Sequence, residues 1–387
     1  MCQHIVSRLI YSIFILCFIL IFNTPMIVSS DIEVSGTDLK TNRISKKILN
    51  DLKPVPSDSN FIGTLYPILN AAGGEWSIPR LNATFGNAFS FSMKKDKDVV
   101  WQHANIDWWL LWEMINDIGF EFQEYQMILN GKLPPPTPTE IKKIKEQTWN
   151  QVKSSIDQGV PAIAWQPMTV TQLKNGVNAF GWGLLVGYNE DNKTYTVRHQ
   201  TYKSDYQVPY DKFGYSDPVQ WYCVMILTKR KPINRIDLDI QILNNAVKFA
   251  EGSRFDLEKA AYRVDTIGFA AYAQWINLIE SGEVDIGFTE HSAWMLWEMR
   301  ENAEKYLREI SNYFTDETRQ YITEAAAYFD IEIDEVEKLV NLCKKHKQFT
   351  PPLRQEAITI IHAALDAEKM AIGKIKEALE SINIDSK

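Results

Sequence analysis

The side chains best suited to acid–base or ligand chemistry in this 387-residue chain are few and dispersed: six histidines, four cysteines and twelve tryptophans. His103, Asn105 and Asp107 fall in the run WQHANIDWW, at the start of a helix expected over Asp107–Ile118. Asn and Asp are favoured helix caps, because a short side-chain oxygen accepts from the orphan N–H groups of a first turn. The same three groups facing a groove would make a polar ligand site, and the spacing admits both readings. Five tryptophans, Trp76, Trp101, Trp108, Trp109 and Trp112, lie close to them. Such rings stack on sugars or hold peptides, and more commonly fill cores; Trp76 joins the three polar residues as a ligand-binding candidate. Cys343-x-x-His346 and Glu290-His291 are each one pair of donors where a closed zinc site needs four, so no metal and no cofactor is assigned. His362, inside AITIIHAAL, reads as a core histidine. There is no Gly-rich phosphate loop and no Gly-x-Ser-x-Gly elbow.

The elements that must position these groups divide into a mixed part and a helical part. Phe61–Ala72 predicts an apolar helix closed by Gly73-Gly74. Pro67 is tolerated only in a first turn, which places the helix start near Gly63–Thr64. A helix near Glu140–Gln158 follows the proline cluster LPPPTPT, and strands are expected at 160–166, 182–188, 194–199, 205–209 and 219–228. Helices first and antiparallel strands later is an α+β order. After the basic junction TKRKPINR, apolar residues recur at helical spacing in 239–250, 257–280, 290–313, 317–329, 334–346 and 353–381. These predict an all-α bundle.

Residues 232–387 hold 18 Lys+Arg against 28 Asp+Glu, whereas residues 31–231 hold 22 against 21. With no basic face, nucleic acid is not an expected partner. Arg8, the apolar run Leu9–Phe22 and the small residues Val28-Ser29-Ser30 read as a secretory signal peptide cleaved near Ser30. The expected location is therefore secreted or otherwise extracytoplasmic, with membrane contact only through that segment if it is not cleaved. Cys223 and Cys343 are the cysteines of the mature chain, read as two buried thiols or one disulfide. Asn82-Ala-Thr84 and Asn192-Lys-Thr194 fit the glycosylation sequon.

The stretches FIGTLYPILNAAGGEWSIPRLNATFGNAFSF, GVPAIAW and FGWGLLVGYNEDNKTYTVRH resemble the papain-like domain of the butirosin-biosynthesis H group, allied to bacteriocin-processing cysteine peptidases. The C-terminal stretch GFAAYAQWI resembles the helical region attached in that group. The resemblance spans roughly residues 59–380 and implies a papain-like α+β domain over 59–231, after a signal peptide (1–30) and a polar leader (31–58). An acidic helical domain over 232–387 would follow. It implies a catalytic Cys at the first helix start, a His on the first hairpin strand and an Asp or Asn on the second. The matching positions hold Thr64, Trp182 (or Gly181) and His199. A Thr hydroxyl without a base is a poor nucleophile, and Trp182 accepts no proton. No catalytic residue is assigned. The reading that follows is a secreted, catalytically degenerate protein binding a peptide or other small ligand in the former active-site groove. Two alternatives stay open: an acyl or peptidyl transferase or hydrolase using other residues, and a structural protein acting through its helices.

Overall fold

The computed structural model describes residues 45–57, 59–93, 114–115, 117–130, 135–216, 220–253 and 266–385. In chain order the elements begin β1 (Lys46–Ile48), α1 (Asn60–Ala71), α2 (Ile78–Thr84), β2 (Ser92–Met93) and β3 (Phe120–Ile128). Next come α3 (Pro138–Asp157), β4 (Ala162–Trp165), α4 (Val170–Lys174), β5 (Trp182–Asn189), β6 (Thr194–Arg198), β7 (Tyr206–Pro209) and β8 (Trp221–Arg230). The chain finishes with α5 (Arg235–Ala250), β9 (Thr266–Ile267), α6 (Phe269–Glu280), α7 (Ile286–Ser311), α8 (Asp316–Lys345) and α9 (Pro351–Asp385). The architecture is α+β, an antiparallel sheet of seven strands with a C-terminal helical region.

Two compact units are formed. The first holds the described residues up to Val55 together with Asn70–Gly73 and Phe122–Thr228. Its sheet runs β3-β8-β4-β5-β6-β7, with β1 added beside β5. One edge of β5 is shared: β4 pairs along it from Ala162↔Leu185 to Trp165↔Trp182, and β1 from Ile48↔Gly187 to Lys46↔Asn189. β6 takes the other edge through a turn in which Lys193 is left-handed at φ 51, and a register shift between Leu185 and Gly187 marks a bulge. Gly187 is where β1 comes closest, since a Cβ there would stand 2.6 Å from the Lys47 carbonyl oxygen. α3 starts with a capping box between Thr137 and Glu140, and buries Trp149, Val152 and Ile156 with Leu185, Tyr188, Tyr195 and Val197 of the β5–β6 hairpin. Each such fully buried apolar side chain is worth about 1.5–3 kcal/mol. β1 and β3 were not expected from the sequence; β1 arises inside the stretch read as a polar leader.

The second unit holds Pro56–Leu69, Gly74–Glu121 and Lys229–Lys387. Helices α6 to α9 share an apolar core that includes Tyr272, Trp275, Leu296, Val336, Leu339 and Ile361. α8 is one 30-residue helix where the periodicity predicted two, because the intervening Asp330–Ile333 contains neither Gly nor Pro to end it. α1 begins at Asn60 rather than Gly63–Thr64, which leaves Pro67 inside the helix and the Gly63 carbonyl without an N–H donor from that residue. The helices α1 and α2, expected in one domain with the sheet, cluster with the C-terminal helices instead. Arg80 on α2 explains the attachment of that helix: it is ion-paired to Asp239 on α5 and Glu309 on α7. The expected signal peptide and the helix over 107–118 lie outside the described residues, apart from residues 114, 115, 117 and 118.

Candidate functional site

The hairpin places Trp182 and His199 on opposite faces of the sheet. Ala164 pairs with Gly183 and Trp165 with Trp182, while Arg198 pairs with Leu184. His199, one residue on, therefore stands beside Gly183, and a Cβ on Gly183 would lie 3.0 Å from His199 Cδ2. Side chains alternate along a strand, so Trp182 points the other way. The hairpin does not build the expected groove lined by both residues.

His199 is 1% exposed. The Thr201 amide donates to Nδ1 at 3.3 Å, and Thr201 Oγ1, 2.8 Å from the same nitrogen, also reaches the Asn178 carbonyl at 3.1 Å. With Nδ1 accepting from an amide, the ring proton is assigned to Nε2. Burial pushes the imidazole down to about 4, against a smaller upward pull from the Phe180 carbonyl. Among the described residues no carboxylate hydrogen-bonds the ring, so nothing orients it as the third member of a triad would. Thr64 lies in the other unit, fully buried, and its hydroxyl donates to the Asn60 carbonyl at 2.8 Å within α1. That hydroxyl is a helix back-bond, not a poised nucleophile.

On the Trp182 face three tryptophans converge. Ring centroids are 5.3 Å apart for Trp165–Trp182, 5.5 Å for Trp165–Trp221 and 5.9 Å for Trp182–Trp221, tilted to edge-on. Trp182 is 1% exposed, whereas Trp165 and Trp221 are half-buried, and Phe180 in the approach to β5 is 52% exposed. The backbone on either side is unusual. Gln166, directly after Trp165, has φ 39, and Gln220, directly before Trp221, has φ 52. A left-handed residue other than Gly costs about 1–2 kcal/mol and persists where the surroundings over-determine it. For Gln166 those surroundings are visible: its amide donates to the Gly181 carbonyl at 2.7 Å, and Ser216 Oγ donates to its Oε1 at 3.3 Å. No family model matches the chain, and no curated protein is similar to it. The tryptophans and their flanking glutamines are therefore read on their own geometry.

The remaining sequence candidates separate. Trp76 is only 7% exposed and belongs to the core of the helical unit rather than to an open aromatic face. His103, Asn105 and Asp107 lie outside the described residues. His362 is exposed, against the expectation of a core histidine, because it falls on the outer side of α9. Cys343 is buried and His346 exposed, so the two do not converge. Among the described residues no group of three or more His, Cys, Asp or Glu could hold a metal ion. Cys223 and Cys343 are free and buried, and burial pushes both thiols up, Cys343 to about 12. Asn82, in the first sequon, is 1% exposed and hydrogen-bonded to Ile78 and Asn87, whereas Asn192 is exposed in the β5–β6 turn.

Two polar clusters that sequence reasoning missed lie in the helical unit. Arg80 grips both carboxylate oxygens of Asp239 at 2.9 and 3.3 Å and Glu309 at 2.8 Å, and Tyr306 donates to Asp239 at 3.0 Å. Arg300 meets Glu332 at 3.2 Å and Glu368 at 2.8 Å, and donates to the Ala88 carbonyl at 2.9 Å. Each cluster is one Arg, two carboxylates and a Tyr. Charges so deeply buried persist only when paired and hydrogen-bonded.

Proposed function

We propose that this chain is a binding protein without peptidase activity, working outside the cytoplasm, whose sheet carries a papain-like arrangement that has lost its triad. The observation that carries this reading is the Trp165–Trp182–Trp221 cluster, in which Trp165 and Trp221 are half-buried, with the exposed Phe180 two positions before Trp182 in the chain. Aromatic faces of this kind hold a peptide or another small ligand by stacking and apolar contact. The reading takes the resemblance to the butirosin-biosynthesis H group as its premise, and an α+β chain with an antiparallel sheet is compatible with it. The state of His199 and Thr64 argues against catalysis at the matching positions, since one is a buried neutral ring and the other a helix back-bond. A location outside the cytoplasm rests on the signal-like first 30 residues.

Native mass spectrometry of the full chain from its natural compartment, before and after denaturation, tests the reading. A defined extra mass that leaves on unfolding, and is absent from a Trp165→Ala, Trp221→Ala variant that still folds, is the expected result. A clean apo mass, with no quenching of tryptophan fluorescence by a panel of short peptides, would overturn it. The same spectrum reads the mature N-terminus directly.

A further inference from the structure

The second arginine cluster is assembled by one residue from each of four consecutive helices: Tyr272 on α6, Arg300 on α7, Glu332 on α8 and Glu368 on α9. All four are 0–1% exposed. Tyr272 donates to Glu332 Oε1 at 2.5 Å, and Arg300 reaches that same oxygen at 3.2 Å. Arg300 also reaches Glu368 Oε1 at 2.8 Å, and its guanidinium lies 5.8 Å from the Phe329 ring centroid. The Ala88 carbonyl, between α2 and β2, takes a further guanidinium proton. Among the described residues these are the charged and titratable groups facing the centre.

The hydrogen-bond pattern is unbalanced. Both Oε1 atoms are satisfied, while Glu332 Oε2 and Glu368 Oε2 are buried with no partner. One guanidinium faces two carboxylates, so two ionised acids would leave a net negative charge in an apolar bundle. A carboxylate in such a place shifts its titration and takes up a proton rather than stay charged. One proton brings the cluster to neutrality and turns one orphan acceptor into a donor.

We propose that the Glu332/Glu368 pair is a proton-binding site built into the bundle, filled at neutral pH, whose emptying in mild alkali loosens the helical unit. Burial, and then the neighbouring Glu368, pushes Glu332 up to about 8, with Arg300 pulling the other way. The proton is assigned to Glu332, whose Oε2 is buried without a partner. In the unfolded chain a glutamate releases its proton near 4.3. Between that pH and about 8 the folded state holds one more proton than the unfolded state, so stability falls as pH rises through this window.

The test is chemical unfolding of the full chain from pH 5 to pH 9, following helical signal, with infrared detection of protonated carboxyl groups. Glu124, which burial pushes up to about 7, is replaced throughout (Glu124→Gln) so that its band does not overlap. With the pair intact, the ratio of unfolded to folded helical unit should rise by up to about tenfold per pH unit up to about pH 8. A protonated carboxyl band should persist at pH 7. Glu332→Gln or Glu368→Gln should remove both the band and the slope, and should make the protein the more stable of the two at pH 9. If neither variant folds, the band of the intact pair alone decides, and its absence at pH 7 would overturn the proposal. A slope unchanged in the variants would also overturn it. So would a stability that follows sodium or potassium concentration instead of pH, which would assign the pair a metal cation.

Discussion

Arg80 presents its guanidinium edge-on to Asp239 and its Nε to Glu309, an arrangement that uses the fork geometry no lysine has. Removing it would strand Asp239, which is fully buried, with only the Tyr306 hydroxyl for company. Losing one partner of a buried pair costs about 3–5 kcal/mol, because the other charge is left uncompensated. Arg80→Ala should therefore destabilise the helical unit by about that amount in urea unfolding, and Arg80→Lys should recover only part of it. A loss under about 1 kcal/mol for Arg80→Ala would show that Asp239 protonates at little cost. Neither Arg80 nor Arg300 could be picked out beforehand, because in IPRLNAT and WEMREN a charged residue on an amphipathic pattern reads as a solvated face. Trp182 and His199, by contrast, are legible as neighbours on one hairpin, at the start of β5 and just after β6, but not as members of one groove. Their opposite facing depends on register, which residue types do not carry.

Among the elements, β1 is short but tied at several points. Three residues pair with β5, the Leu49 amide donates to the Val186 carbonyl at 2.8 Å and the Glu190 amide to the Ser45 carbonyl at 2.7 Å, and Arg198 donates to the Leu49 carbonyl at 3.0 Å. The close approach at Gly187 makes that strand sensitive to a single methyl. Gly187→Ala should push β1 away from β5 at a cost of about 1–3 kcal/mol, as overpacking does, and should speed hydrogen exchange at Leu49 while leaving Ala162–Trp165 protected. Unchanged exchange at Leu49 would mean that the backbone shifts to accept the methyl. The hairpin and α3 are legible in sequence because each has local punctuation, the Asn189–Asn192 turn and the proline cluster LPPPTPT ahead of the helix. β1 is not, since three residues carry no period. β3, FEFQEYQMI, was missed although its apolar and polar residues partly alternate, and most of its side chains are only half-buried.

At the scale of the whole molecule, the sheet unit holds titrating groups of both senses. His199 stays neutral down to about pH 4 when folded but protonates near 6.5 when unfolded, so this group costs the unit stability as pH falls between those values. Glu124, pushed up by burial to about 7, costs it stability as pH rises toward 7. The His199 contribution, about 2.5 pH units of one proton, is roughly 3 kcal/mol. The glutamate pair acts in the other direction on the helical unit. Calorimetry at pH 4.5 and pH 7.5 should show the helical transition higher in acid, and the sheet transition lower in acid once Glu124→Gln removes the group that opposes His199. A single transition, or two that shift together, would show that other groups dominate. The interleaving of the units through the chain has a further consequence, during synthesis. α2 leaves the ribosome with Arg80, and its partner Asp239 follows 159 residues later. At roughly 5–20 residues per second that is a wait of about 8–30 seconds. Throughout it, Arg80 has neither carboxylate partner, since Glu309 emerges later still. The sheet unit can close over residues 122–228 in that interval while α1 and α2 are left waiting. The order of synthesis thus leaves the Arg80 cluster to close late, only after α5 and then α7 have emerged.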